Sequence, residues 1–328
     1  MSERSRPLVF NAVLLPREPI RELTEYCDVT PWDSTTTMSQ HDVVEAVRRL
    51  KPDAIFLSTK IVVDAKLLDA AGPQLKVIGT CSVGLDHVDL DECKRRGVAV
   101  GYTPGVLTDS VAENTIGLIL ATARKYKQGL TAVTDGTWGT RNADLLWMCG
   151  SDIKNSTVGI FGLGRIGTRV AKLLQAFGPS RILYNSRTKK DVDGEIRAEY
   201  VSFETLVRES DILVATCSMN PENEGLFDIS VFEKMKRSAM FINVSRGVLV
   251  NQDDLYDALK NDFISAAGLD VTSPEPLPTN HRLLSLANCL IVPHISSATQ
   301  ATICRMIKLT ADNILAGLKG EKLPAPAV

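Results

Sequence analysis

Short apolar runs alternate with amphipathic stretches along nearly the whole chain of 328 residues. This alternation predicts parallel strands covered by helices, because a strand buried on both faces is a continuous apolar run and a surface helix keeps one apolar side. In the first third we predict strands at Leu8–Leu14, Ala54–Leu57, Lys76–Thr80 and Val98–Gly101, with helices at Arg17–Tyr26, His41–Leu50, Ala65–Ala71 and Leu90–Arg96.

A long helical segment starts at Asp109 and continues irregularly to Trp138, and a second series of strands follows it. We predict these strands at Thr157–Phe161, Arg181–Asn185, Asp211–Thr216, Ala239–Asn243, Ile264–Asp270 and Cys289–Val292. The last helix, Ala301–Leu318, has room to return to the first domain. The pattern therefore predicts an α/β fold in which one domain (residues 104–291) is inserted into another (residues 1–103 and 292–328).

Composition and charge remove several classes of function. The net charge is −2 and the sequence pI is about 6.1, so nucleic acid and anionic membranes are not expected partners. Neither a secretory signal nor an apolar run long enough to cross a bilayer is present in the sequence. The seven cysteines are scattered without CxxC spacing, which argues against a disulfide framework or a zinc site. We expect a cytoplasmic protein with free thiols and no metal.

The strongest local motif is the run Gly162-Leu163-Gly164-Arg165-Ile166-Gly167, which follows an apolar strand and leads into a segment of helical spacing. In such a motif the first glycine permits a tight turn and the second lets backbone amides approach a pyrophosphate. The third allows the helix to pack closely on the strand. The helix N-terminus adds a favourable dipole for phosphate. All six residues are therefore predicted to bind a dinucleotide.

The end of the next strand indicates which dinucleotide. NAD-specific sites place an acidic residue about 20 residues after the motif, to bind the ribose hydroxyl. Here the strand is followed by Ser186 and Arg187, and the first carboxylate is Asp191. A guanidinium fork and a hydroxyl suit a 2′-phosphate, so NADP(H) is the preferred cofactor and NAD(H) a possible one. The competing interpretation is a solvated basic loop.

Several longer stretches, in this order, resemble the D-2-hydroxyacid dehydrogenase family from about Leu8 to Leu323. They are Cys81–His87, Gly101–Pro104, Val106–Asp109, Asn243–Gly247, Asn251–Tyr256, Ala267–Asn280 and Val292–His294. Within the family they are most similar to the enzymes that reduce glyoxylate and hydroxypyruvate. The resemblance implies two Rossmann-like domains, a flavodoxin-like substrate domain and an inserted dinucleotide-binding domain, with an active-site cleft between them.

The resemblance also implies a catalytic triad of Arg246, Glu275 and His294. Each residue type suits its role: a permanently charged guanidinium can bind the carboxylate of a keto acid and polarise its carbonyl. An imidazole can donate a proton near neutral pH. A carboxylate beside the imidazole can orient it and raise its pKa. The alternatives are that Arg246 closes a turn, Glu275 is a loop acid and His294 is a core histidine.

Further site residues follow from the resemblance alone. Val83 and Gly84 are expected to bind the substrate carboxylate through backbone amides, and Leu57 and Ser58 to shape the substrate pocket. The other expected cofactor contacts are Thr108, Cys217, Ser218, Val244, Ser245, Asp270, His294 and Ser296. His87 lies in a matching motif, but the family gives it no catalytic role.

One further residue follows from the resemblance, and one residue departs from it. Trp147 lies in a segment that resembles a dimer arm, where the tryptophan reaches the partner's site and limits substrate size, so a homodimer is expected. Ser296 stands where the reductases usually have glycine, and we expect its extra hydroxymethyl group near the nicotinamide ring. D-Lactate or 3-phosphoglycerate dehydrogenase activity and a dinucleotide-sensing corepressor role remain the alternative functions.

Overall fold

The computed structural model describes residues 5–31, 34–36, 38–141, 143–192, 194 and 196–328. Its strands are β1 (Leu8–Asn11), β2 (Asp28–Val29), β3 (Ala54–Leu57), β4 (Val77–Thr80), β5 (Ala99–Gly101), β6 (Thr157–Phe161), β7 (Arg181–Asn185), β8 (Glu199–Tyr200), β9 (Ile212–Ala215), β10 (Met240–Asn243), β11 (Ala266–Leu269) and β12 (Cys289–Ile291). Its α-helices are α1 (Arg21–Tyr26), α2 (Gln40–Leu50), α3 (Ala65–Ala71), α4 (Leu90–Arg95), α5 (Thr108–Ala123), α6 (Tyr126–Thr134), α7 (Arg165–Leu174), α8 (Phe203–Glu209), α9 (Ile229–Phe232), α10 (Gln252–Lys260) and α11 (Gln300–Lys319).

The chain divides into two compact units, Met1–Leu107 with Ala298–Val328 and Thr108–Ser297. The first unit holds a parallel five-stranded sheet in the order β2-β1-β3-β4-β5, which is the flavodoxin-like order. Helix α11 packs its apolar side on one face of this sheet through Ile307, Ala311 and Ile314. The last helix of the chain therefore belongs to the unit that the N-terminal strands form.

The second unit holds a parallel seven-stranded sheet in the order β12-β11-β10-β9-β6-β7-β8. Strand order reverses beside β6, the strand that precedes the glycine motif, and in doubly wound folds this switch point is where ligands bind. The aromatic rings of Phe161, Phe227 and Phe241 pack in the core on one face. The prediction of two Rossmann-like α/β domains is confirmed.

The boundaries between the units differ from the predicted ones. The predicted inserted domain starts at 104 and ends at 291, whereas the second unit runs from Thr108 to Ser297. Residues after β12 stay with its sheet because the N–H groups of Val292 and His294 donate to Leu269 and Asp270 at the end of β11. The candidate catalytic histidine therefore lies in the same unit as the glycine motif.

Several predicted elements were too long. Strand β1 ends at Asn11 rather than Leu14, because the Asn11 amide turns back and bonds both backbone groups of Val13. The helix predicted from Asp109 to Trp138 is broken after Ala123, where Lys125 has a positive φ of 56°, and it ends at Thr134. Strands β2 and β8 were missed because two residues give no readable pattern.

The expectations of free thiols and of no membrane-spanning segment concern the cysteines and the helices. All seven cysteines are free thiols; Cys27, Cys93 and Cys289 are buried, whereas Cys149 is exposed. Burial raises the pKa of the Cys289 thiol to about 12, which keeps it protonated and unreactive. Among the described residues, no helix combines the length and the hydropathy that crossing a membrane requires.

Candidate active site

The glycine motif forms a tight turn from β6 into α7. Gly162 has a φ of +101°, and a Cβ atom there would lie 2.4 Å from Cα of Cys217, so this position requires glycine. A Cβ atom on Gly167 would lie 2.2 Å from the carbonyl oxygen of Gly162. Because glycine has no Cβ atom, the helix can pack directly on the turn. A Cβ atom on Gly164 would meet only open space. The N-terminus of α7 therefore has room for a phosphate, as a dinucleotide site requires.

His294 lies on a loop that a buried carboxylate holds in place. Both oxygens of Asp270, which is 1% exposed, accept backbone N–H groups: Ile295 at 2.7 Å and Ser296 at 3.1 Å. The N–H of His294 also donates to the Asp270 carbonyl at 2.8 Å. These bonds hold the backbone of His294 at a positive φ of 53°. Residues other than glycine adopt this conformation rarely, and it is often found at functional sites.

The imidazole of His294 pairs with Glu275. Nδ1 of the ring lies 2.8 Å from Oε2 of the carboxylate, while Oε1 accepts the N–H of Thr272 at 3.0 Å. Because the carboxylate accepts from Nδ1, the ring presents Nε2 to any other partner. The two side chains are 42% and 39% exposed, so the pair remains accessible to a ligand.

The pair shifts both pKa values in the direction that general acid catalysis needs. The hydrogen bond that His294 donates to the Glu275 carboxylate raises the pKa of His294 above its ordinary value, although burial and the charge of Arg246 oppose this. Burial would raise the pKa of the Glu275 carboxyl, but the bonds from His294 and Thr272 and the charge of Arg246 bring it below its usual value. The stable state is therefore an ionised carboxylate beside an imidazole that keeps its proton to higher pH.

Arg246 follows β10 and lies close enough to act electrostatically on both members of this pair. Its Nη1 donates to the carbonyl oxygen of Ser245 at 2.8 Å, and the amide of Asn243 donates to the Arg246 carbonyl at 2.9 Å. A Cβ atom on Gly247 would lie 2.0 Å from the backbone of Thr272. Glycine at this position lets the arginine loop approach the loop that carries Glu275.

Gln252, at the start of α10, was not identified from the sequence. Its amide brackets the backbone of Ser273, accepting from the Ser273 N–H at 3.0 Å and donating to the Ser273 carbonyl oxygen. Ser273 lies two residues before Glu275, so Gln252 supports the carboxylate loop. In the sequence, Gln252 lies in the stretch Asn251–Tyr256 that resembles the family, but the sequence does not show which residue it contacts.

The predicted cofactor residues after β7 and β9 lie at the carboxyl ends of their strands. The Ser186 hydroxyl donates to the carbonyl of Thr188 at 2.8 Å, and Arg187 is exposed. Within the part of the chain that the structure describes, Arg187 forms no ion pair. The Ser245 hydroxyl donates to the Cys217 carbonyl and ties two strand ends together, while Ser218 is exposed.

Ser296 occupies a buried position against α5. It is 4% exposed, and its hydroxyl accepts a hydrogen bond from the amide of Asn114 at 2.8 Å. The hydroxymethyl group is therefore engaged by a polar partner on the helix, which sequence reasoning did not foresee. Among the other predicted cofactor residues, Thr108 starts α5 and Val244 is buried after β10.

The predicted substrate residues of the first unit differ in accessibility. Leu57 is 1% exposed and belongs to the core of that unit, so only the loop that begins at Ser58 is available to a ligand. Val83 and Gly84 are half-buried in the loop after β4.

In the second unit, Trp147 is half-buried and follows Leu145 and Leu146, which are 90% and 78% exposed.

If His294 donates a proton to a keto acid, as the family resemblance implies, replacing Glu275 with Gln is expected to move the fall in activity to lower pH. Such a step needs a protonated imidazole, and the Glu275 carboxylate raises the pKa of that imidazole, so wild-type activity should persist at a pH where the variant has lost its proton. The measurement is kcat/KM against pH for both proteins. Identical profiles would contradict the assignment of Glu275, and Glu224→Gln serves as the control for losing a carboxylate elsewhere in this unit.

The sequence and the fold of this chain are similar to those of known proteins. Residues 116–296 match the family described as D-isomer specific 2-hydroxyacid dehydrogenase, NAD binding domain. The chain is 49% identical over 300 residues to the glyoxylate reductase/hydroxypyruvate reductase of Homo sapiens, covering 91% of this chain and 90% of that protein. It is 38% identical over 323 residues to the glyoxylate reductase of Thermofilum pendens, covering 98% of this chain and 94% of that one.

Solved structures show the same architecture. The NADPH-dependent glyoxylate/hydroxypyruvate reductase of Sinorhizobium meliloti, crystallised with NADP and malonate, superposes with a TM-score of 0.84 at 29% identity, covering 99% of this chain and 97% of that one. The TT0316 protein of Thermus thermophilus superposes with a TM-score of 0.87 at 35% identity, over 98% of this chain and 100% of that one.

Proposed function

Because the chain belongs to the D-isomer specific 2-hydroxyacid dehydrogenase family, we propose that it reduces glyoxylate and hydroxypyruvate, to glycolate and D-glycerate, with NADPH as the preferred cofactor. The observation that carries the proposal is the His294–Glu275 pair, 2.8 Å apart, with Arg246 acting on both, in the unit that contains the glycine motif. The relative named glyoxylate reductase/hydroxypyruvate reductase in Homo sapiens supports both substrates, and the relative named glyoxylate reductase in Thermofilum pendens supports glyoxylate.

The residues have separate roles in this mechanism. Arg246 binds the substrate carboxylate and polarises the keto group, so charge that develops on the oxygen is stabilised. His294 donates the Nε2 proton to that oxygen, and Glu275 stabilises the imidazole in the orientation and protonation state that this step needs. A bound nicotinamide supplies the hydride. Oxidation of the hydroxy acid would use His294 as the base.

Other residues hold the reactants. We assign Val83 and Gly84 to the substrate carboxylate, and Ser58 to the wall of the substrate pocket. Thr108 and Asp270 are assigned to the nicotinamide half of the cofactor. The Asp270 oxygens already accept two backbone N–H groups, but each carboxylate oxygen has a second lone pair for the carboxamide.

The first test is the loss of NADPH absorbance at neutral pH with glyoxylate and with hydroxypyruvate, each repeated with NADH. Fast oxidation of NADPH with either acid supports the proposal. Turnover of pyruvate or phosphohydroxypyruvate instead would assign the chain to a D-lactate or 3-phosphoglycerate dehydrogenase. Tight dinucleotide binding without turnover of any of these acids would favour a corepressor-like binding role.

Arg187 carries the cofactor preference, and replacing it with Ala is expected to raise KM for NADPH about tenfold while KM for NADH stays unchanged. The side chain is exposed at the end of β7, and a charge-assisted bond to a 2′-phosphate is available only with NADPH. Initial rates with each cofactor make the measurement. Arg197→Ala, another exposed cation in this unit, is the control. Equal changes for both cofactors would overturn the role of Arg187 in discrimination.

We also propose a homodimer formed through α6 and the segment after it. Five large apolar side chains are exposed there by 60% or more: Leu130, Val133, Trp138, Leu145 and Leu146. A monomer rarely exposes such a group of apolar side chains, so a second copy of the chain is the natural partner. Trp147 lies within this segment and is assigned to the partner's substrate pocket.

Replacing Leu130 and Leu145 with Glu is expected to convert the dimer to a monomer, because two buried carboxylates would face the partner without compensation. Sedimentation velocity of the variant and the wild type measures the change. Leu14→Glu, a substitution at a side chain that is 59% exposed in the first unit, is the matched control. A wild-type chain that sediments as a monomer would remove the proposal.

A further inference from the structure

A chain of hydrogen bonds lies beneath the loop that follows β4. The Ser82 hydroxyl donates to the carbonyl oxygen of Gly84 at 2.8 Å, and the Thr80 hydroxyl lies 2.8 Å from Ser82 Oγ. Thr80 Oγ1 in turn lies 3.0 Å from Nε2 of His87. Thr80 and Ser82 are 0% and 4% exposed, so water does not compete for these bonds.

The direction of every bond in the chain follows from its last acceptor. A carbonyl oxygen only accepts hydrogen bonds, so the single O–H of Ser82 donates to the carbonyl oxygen of Gly84. Ser82 Oγ must then accept a hydrogen bond from the O–H of Thr80. Thr80 Oγ1 in turn must accept a hydrogen bond from the N–H of His87. Nε2 of His87 therefore carries a hydrogen atom, and the three side chains form one directed series.

A second anchor fixes the other end of the loop. The carbonyl oxygen of Ser82 accepts both the N–H and the hydroxyl of Thr103, at 2.8 and 2.9 Å. In a trans peptide the N–H points opposite to the C=O, so the N–H of Val83 points away from Thr103. By the same rule, the N–H of Leu85 points away from the Ser82 hydroxyl.

The N–H groups of this turn are available to a ligand. Among residues 5–31, 34–36, 38–141, 143–192, 194 and 196–328, no acceptor takes the N–H of Val83, Gly84 or Leu85. Adjacent N–H groups without acceptors form a concavity that suits an anion. The Ser82 hydroxyl, through the Gly84 carbonyl, orients the N–H of Leu85, and Thr103, through the Ser82 carbonyl, orients the N–H of Val83.

We propose that Ser82, Thr80 and His87 are positioning residues that preset residues 83–85 to receive the substrate carboxylate. The inference rests on the proposed function, in which this loop binds that group. A preset loop loses less conformational freedom when the ligand binds, so the network increases affinity for the carboxylate without touching it. His87, which the family motif leaves without a catalytic task, thereby acquires a function through Thr80 and Ser82.

Ser82→Ala and Thr80→Val are each expected to raise KM for glyoxylate by about tenfold, with kcat and the Kd of NADPH unchanged. The substrate carboxylate makes the same contact before and during the reaction, so its loss affects KM rather than kcat. The inhibition constant of oxalate, a carboxylate that is not reduced, should rise by the same factor. Thr80→Ser keeps the hydroxyl and should restore both constants.

Ser156→Ala is the matched control, because Ser156 is also buried and its hydroxyl also donates to a backbone carbonyl, that of Ile153 at 2.6 Å. It should lower the melting temperature without altering KM. A normal KM and oxalate constant in Ser82→Ala and Thr80→Val would overturn the inference alone. A wild-type protein that neither reduces glyoxylate nor binds oxalate would overturn the proposed function as well, so the two failures are distinguishable.

Discussion

The His294→Gln variant is expected to reduce glyoxylate about 10³-fold more slowly than the wild type, within the range that a general acid contributes. The glutamine amide can still bond Glu275 and occupy a similar volume, but it cannot release a proton to the keto oxygen. The Kd of NADPH should change far less than the rate, because His294 is only one of the expected cofactor contacts and the glycine motif lies elsewhere in the unit. Single-turnover rates and fluorescence titration with NADPH measure the two quantities.

His41→Gln provides the control for this experiment. His41 is on the surface at the start of α2, with its side chain 78% exposed, so its loss should alter neither rate nor affinity. Unchanged turnover in His294→Gln would remove the proton-donor role from that residue. A parallel fall in NADPH affinity and turnover would indicate instead that the loop held by Asp270 had moved.

The glycine motif could be predicted because all the information needed is local. A strand, a turn that tolerates only glycine and a helix follow one another within a few residues, and Gly162 and Gly167 occupy the positions that the motif requires. The sheet order was accessible for a similar reason, since strands that alternate with helices have few ways to assemble. The length of the elements was less readable, as the break at Lys125 shows.

The contacts that hold the loops of the candidate site could not be predicted from the sequence. The bond between Asn114 and Ser296 joins residues 182 positions apart, and Gln252 meets Ser273 across 21 positions. A single sequence does not distinguish a polar side chain that faces solvent from one that forms hydrogen bonds to a loop. Only the folded chain shows which of them have a backbone group opposite, as Gln252 has at Ser273.

The site itself follows from the sheet. Arg246, Asp270 and His294 each come just after the carboxyl end of a strand, and β10, β11 and β12 are parallel neighbours in that order. Parallel strands bring all their carboxyl ends to one edge, so residues far apart in sequence meet there. The buried Asp270 lies between the other two strand ends, where its carboxylate accepts two backbone N–H groups of the histidine loop.

Arg246→Gln is expected to lower kcat/KM for glyoxylate by about 10³-fold, with a rise in KM and a fall in kcat. In the proposed mechanism the guanidinium binds the substrate carboxylate in the ground state, which affects KM, and stabilises the developing negative charge on the keto oxygen, which affects kcat. Arg246→Lys keeps the charge but loses the planar fork, so it should recover part of kcat and little of KM. Steady-state kinetics at saturating NADPH separates the two constants.

The Arg246 variants also report on the histidine pair, because the charge of Arg246 lowers the pKa of His294. Removing that charge should raise this pKa, so the remaining activity of Arg246→Gln should persist to higher pH than that of the wild type. Arg237→Gln, an exposed arginine just before β10, is the control for losing a charge near the same strand. A wild-type kcat/KM in Arg246→Gln would show that another cation binds the substrate, and an unchanged pH profile would mean that Arg246 and His294 do not share one site.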